Sequence, residues 1–119
     1  MPKGSCLCQK LQYEYQGEPV VKARKVNIPK DKVHVISGFA KQFTQLHESG
    51  KKLTINFCGE CGGTVYKTHE SFPGSIIILA GTLDDPDGLE QSKPSQELFS
   101  KHRVSWLSGL SWAEQKQEF

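Results

Sequence analysis

NFCGECGG, residues 56–63, sets two cysteines around a two-residue gap and follows them with two glycines. Glycine lets the backbone turn tightly there and aim amide N–H groups at sulfur, which stabilises thiolate charge and orients it. The other two cysteines of the chain, Cys6 and Cys8, stand in GSCLCQK at residues 4–10. On a regular strand alternate side chains share a face, so a C-x-C presents both sulfurs to one point. Brought together, Cys6, Cys8, Cys58 and Cys61 would make a tetrahedral four-thiolate zinc site with Zn–S distances of roughly 2.3 Å. Four unrelated thiols are the bland alternative, although exposed free thiols are an oxidation liability. A redox C-x-x-C is a third reading, but glycines and a strand follow Cys61 where that chemistry expects a helix. A closed four-thiolate site has no open position for water or substrate, unlike catalytic zinc. One structural zinc is therefore the expected cofactor.

Outward from this knuckle, alternation dominates. KLTINF (52–57) places Leu53, Ile55 and Phe57 on one face and runs into Cys58, and KLQYEYQ (10–16) does the same with Leu11, Tyr13 and Tyr15. SIIILAG (75–81) is a continuous apolar run, the pattern of a central strand buried on both faces. TVYKT (64–68) and VHVIS (33–37) read as shorter strands, while KQFTQLHE (41–48) fits either a strand or a helical turn. QGEP, IPKD, ESGKK, FPGS and DDPDG supply the Gly, Pro, Asp and Ser of tight connections. Short strands broken by turns predict an all-β fold. SWAEQKQEF (111–119) is the one stretch that reads as a helix, short and polar.

Composition narrows the function classes. At 119 residues the chain reads as one domain, 1–119, able to bury a modest core without disulfides. Its hydrophobic content of 36% is on the low side, where a bound metal is a useful staple. A net charge of +2 is too small to argue for nucleic acid. No stretch approaches the ~20 apolar residues of a membrane-spanning helix, and MPKGSCLCQK lacks the apolar core of a signal peptide. A reducing, cytoplasmic setting is expected, where paired cysteines are more often metal ligands than disulfides. The basic run KARKVNIPKDK, with Lys22, Arg24, Lys25, Lys30 and Lys32, reads as a solvated strand face.

Four segments in order resemble the glutathione-dependent formaldehyde-activating enzymes and their relatives, which include centromere protein V. GSCLCQKLQYEYQGEP (4–19) resembles the family opening, and SGKKLTINFCGECGGTVY (49–66) its central knuckle. GSIIILAGTLDDPDGL (74–89) resembles its long buried strand, and ELFSKHRVSWLSGL (97–110) its closing segment. The resemblance implies small packed antiparallel sheets around a structural zinc held by Cys6, Cys8, Cys58 and Cys61. It also implies a second, catalytic zinc on a C-x-C-x-x-C after the first strand and its turn. Members with that site help glutathione add to formaldehyde, a carbon–sulfur bond reaction. Here the text passes from GEPVV directly to KARKVNIPKDK, and all four cysteines are already placed.

The remaining candidates are histidine and arginine. His69 in YKTHESF and His102 in SKHRVSW sit near strand ends, where they could converge on a cleft and serve as a general base. Arg103 near Trp106 could dock a carboxylate. The plainer reading makes Trp106 and Leu107 core, with Lys101 and Arg103 facing water on the same strand. Three functions follow: a metal-independent cleft acting on a small molecule, a carbon–sulfur lyase with a recruited second metal, or a non-catalytic interaction module. A small-molecule ligand is the expected partner, and an open strand edge would favour a homodimer. Neither membrane nor nucleic acid is expected.

Overall fold

The alternating segments named above form strands of the computed structural model, although Leu11 lies just before its strand; the structure describes residues 2–19, 21–22 and 25–119. Of the basic run, the side chains of Lys22, Arg24 and Lys25 lie outside the described residues, whereas Lys30 and Lys32 are exposed in a single 3-10 turn. In chain order the strands are β1 (Lys3–Ser5), β2 (Gln12–Tyr15), β3 (Val21–Lys22), β4 (Lys25–Pro29), β5 (Val33–Ser37) and β6 (Ala40–Leu46). They continue with β7 (Lys52–Cys58), β8 (Thr64–His69), β9 (Ser75–Leu79), β10 (Gln96–Glu97) and β11 (Glu114–Gln115).

Two antiparallel sheets form the β-rich fold. One has three strands in the order β1-β2-β5, and the other has six in the order β3-β4-β9-β8-β7-β6. The second is larger than the small sheets expected. β10 and β11 make a separate two-residue parallel pair. KQFTQLHE resolves as strand β6, an edge strand with Phe43 and Leu46 exposed. Among the described residues, no helix is long and apolar enough to cross a membrane.

The core lies between the sheets. Leu11, Tyr13 and Tyr15 face Val26 and Ile28 of β4, Val65 of β8, and Ile76 and Ile78 of β9. Each large apolar side chain buried in this way contributes about 1.5–3 kcal/mol. Cys6 and Cys58 belong to the same cluster, so the cysteine site closes one end of the core.

Local details correct several expectations. On β7 it is Asn56 and Cys58 that are fully buried, while Leu53, Ile55 and Phe57 are only half-buried. The β7–β8 register shifts between Asn56 and Phe57, and such a bulge re-aims side chains near a strand end. β9 is fully buried on one face only, through Ile76 and Ile78, with Ile77 and Leu79 half-buried opposite them.

The helix expected at 111–119 is absent. Glu114 N–H donates to Ser95 O and Lys116 N–H to Glu97 O, so this segment spends its backbone hydrogen bonds on residues 95–97. With no apolar stripe to bury, nothing holds a helix there. Among the described residues, the single α-helical turn is instead Gly88–Gln91. Trp106 is 82% exposed and Leu107 is also exposed, so neither is core. Lys101 lies in a 3-10 turn, Ser100–His102, with Arg103 as its C-terminal cap, so the two do not share a strand.

Candidate metal centre and the adjoining cleft

The two cysteine pairs come from different sheets. β1 ends at Ser5, and the chain then loops back through Gln9, whose φ of 64° is left-handed. Cys6 N–H donates to Leu11 O at 3.0 Å and Gln9 N–H to Cys6 O at 3.0 Å, closing the loop. This turn brings Cys6 and Cys8 together, not the strand alternation that the C-x-C spacing suggests.

Cys58 ends β7, and the knuckle reverses the chain into β8. Gly62 adopts a φ of 74°, its N–H donating to Cys58 O at 2.8 Å, while Cys58 N–H donates to Gly63 O at 3.0 Å. Amides also point at sulfur: Leu11 N–H at Cys6 Sγ and Glu60 N–H at Cys58 Sγ, each 3.4 Å away.

The four sulfurs all lie within 4.8 Å of one another, with Cys6–Cys8 at 3.5 Å and Cys8–Cys58 at 3.7 Å. A tetrahedral ion with bonds of roughly 2.3 Å requires sulfur separations of roughly 3.8 Å, so the cluster has the dimensions of a four-thiolate metal site. Cys6 and Cys58 are buried, Cys61 is half-buried and Cys8 is exposed.

The electrostatics of the cluster point the same way. The Cys8 and Gly63 amides, with smaller help from neighbouring thiols, pull Cys61 down to about 6. For Cys8 the Lys10 amide favours the thiolate, but lost hydration and the three neighbouring sulfurs outweigh it and push the thiol up to about 11. Without a cation, four adjacent thiols cannot all ionise, and a divalent ion removes that conflict.

His102 and Arg103 line a cleft of about 450 Å³ between the β6–β7 turn and residues 94–119. Here the expected convergence is partial. His69 is buried behind the cleft wall, with its ring 4.8 Å from that of His47 and its Nδ1 accepting from Ser71 N–H. His47 is the wall residue that sequence spacing did not single out. It follows β6 directly, and the β6–β7–β8 pairing brings it beside His69 at the end of β8.

Arg103 donates to Glu97 Oε2 at 3.0 Å and to Gln115, so its guanidinium is already occupied and is no open carboxylate dock. His102 Nε2 donates to the Glu48 carboxylate at 2.8 Å, and that hydrogen bond lowers the pKa of Glu48. Lys101 is likewise paired, with Glu118 at 2.7 Å. A second cavity, of about 620 Å³, lies beside Tyr15, Glu18 and Leu83. It contains no His, Cys or Arg among its described lining residues.

The family model described as "Glutathione-dependent formaldehyde-activating enzyme" matches residues 22–102, a span that includes Cys58 and Cys61 but begins after Cys6 and Cys8. A crystal structure of a Rhodobacter sphaeroides protein, solved as a structural-genomics target, superposes with a TM-score of 0.58 at 16% identity. The superposition covers 73% of this chain and 94% of that one, and shows the shared fold. No curated protein matches the chain. The β-rich scaffold, the four converging cysteines and a family match spanning most of the sequence together place this chain in the glutathione-dependent formaldehyde-activating enzyme family.

Proposed function

We propose that this family member holds one structural zinc on Cys6, Cys8, Cys58 and Cys61 and acts on a small molecule in the His102–Arg103 cleft, without a second cysteine-held metal. The observation that carries this reading is the convergence itself: one cluster uses all four cysteines of the chain. Zinc there would tie two sheets together. Among the described residues, no other set of three or more His, Cys, Asp or Glu side chains lies close enough to share an ion.

In the cleft, Glu48 fixes the His102 ring through Nε2, which leaves Nδ1 as the nitrogen able to accept a proton. Glu97 holds Arg103 in the wall, a positioning role. The cleft lies away from the cysteine cluster in its lining residues, so metal and ligand act separately in this reading.

Elemental analysis of protein purified without added metal or chelator tests the metal assignment. One zinc per chain is expected. Two per chain would overturn it in favour of a recruited second site, and none would overturn the zinc reading altogether.

A further inference from the structure

A sheet's edge strands can pair with another chain unless they are short, bulged, charged or covered. At one end of each sheet, β1 and β3 have three and two described residues. β5 closes the three-stranded sheet, and its pairing with β2 shifts register between Gln12 and Tyr13. β6 has none of these protections. Its seven residues pair one to one with β7, from Ala40 opposite Cys58 to Leu46 opposite Lys52, without a shift. It contains no proline and one charge, Lys41, and it exposes Phe43 and Leu46. Among the described residues, its backbone hydrogen-bonds only to β7, so the outer edge is open.

Read against itself in the antiparallel sense, AKQFTQL (40–46) is self-complementary. Centred on Phe43, the register sets Phe43 against Phe43, Gln42 against Thr44, Lys41 against Gln45 and Ala40 against Leu46. All seven residues are then paired, no like charges face each other, and aromatic meets aromatic. Opposite side chains in such a pair share a face and interact directly.

The same register brings the flanking residues Phe39 and His47 opposite each other. Leu53 pairs with both Gln45 and His69, and the 4.8 Å contact between the His47 and His69 rings puts His47 on that same face, with Phe43. His47 meets Phe99 and Phe119 at 5.3 and 5.4 Å in the cleft wall. Phe39, 94% exposed on one copy, therefore comes to the end of the other copy's aromatic wall.

We propose that two copies of this chain pair antiparallel through β6, about a two-fold axis at Phe43, and so join their six-stranded sheets into one. A two-fold contact of this kind makes every side-chain pair off the axis twice. Neither the zinc nor the small-molecule reading enters this pairing.

Sedimentation velocity of the full chain, as purified with its metal, tests the pairing at concentrations up to about 1 mM. The mass should rise with concentration from 13.3 kDa towards twice that value. Phe43→Lys sets two lysines face to face on the axis and should loosen the dimer about tenfold or more. Gln45→Glu puts a carboxylate opposite Lys41 twice per dimer and should tighten it about fivefold, whereas Gln45→Lys should loosen it by about the same factor. Both positions are exposed, and unchanged zinc content and far-UV circular dichroism establish that each variant is folded. A chain that stays monomeric across the range would overturn the proposal, as would a dimer indifferent to Phe43→Lys. A dimer that the two Gln45 variants shift in the same direction would overturn the register.

Discussion

Gly4 has no side chain because Tyr13 occupies the space where one would go. The two residues face each other across β1 and β2, and a Cβ on Gly4 would lie 2.2 Å from the phenol ring. Tyr13 cannot easily yield: it is buried, and its hydroxyl shares a 2.8 Å hydrogen bond with Thr82 Oγ1. Burial raises its pKa, so the phenol stays neutral at physiological pH. Gly4→Ala should therefore destabilise the protein by about 1–3 kcal/mol, the usual cost of overpacking a core. Gly81→Ala, where nothing lies within 4 Å, should stay within about 0.5 kcal/mol. Urea unfolding of both variants reads the difference, and equal stabilities would show that Tyr13 can move away from Gly4 at little cost. The sequence hints at this contact only through GSC beside an alternating strand. The tyrosine's position over the glycine depends on strand register, which residue types alone do not fix.

At the scale of elements, the segment after β9 is held less by burial than by Glu97. Its carboxylate accepts from Leu110 N–H, from Gln115 Nε2 at 3.2 Å and from Arg103 at 3.0 Å. The Leu110 amide and Gln115, with a further contribution from Arg103, lower the Glu97 pKa below its ordinary value of 4.5. A carboxyl depressed on folding adds stability that is fully present above 4.5 and is lost as pH falls through the folded value. The β10–β11 pair and the Ser100–His102 turn should therefore loosen in acid before the two main sheets do. Hydrogen exchange at Ser100 and Lys116, corrected for intrinsic rates, should show falling protection below pH 4.5. Glu97→Gln should flatten that acid dependence; a variant with unchanged acid sensitivity would place the titrating group elsewhere. This element was the least legible in the sequence. Its residues are polar, its strands are two residues long, and its order comes from side chains that meet only after folding.

For the whole molecule, the decisive feature is that one cysteine cluster joins both sheets. Cys6 and Cys8 follow β1 of the three-stranded sheet, whereas Cys58 ends β7 of the six-stranded one and Cys61 lies in the turn from β7 to β8. An ion there would cross-link the layers at the end of their shared core, and its binding energy would be folding energy. Cys58→Ser, or removal of zinc with a strong chelator, should lower Tm by about 10 °C or more. It should also unfold both sheets in one transition. A variant that kept its zinc and its Tm would exclude the structural role. The alternating strands, the turns between them and the two cysteine pairs were determined by the sequence itself, because side-chain periodicity and ligand spacing are local properties of the chain. Tertiary structure alone decided that pairs half a chain apart meet within 4.8 Å. It also decided that His47 comes beside His69, that Arg103 is occupied by Glu97 and that Trp106 faces water. Each of these depends on how distant segments approach one another, and no local spacing encodes that approach.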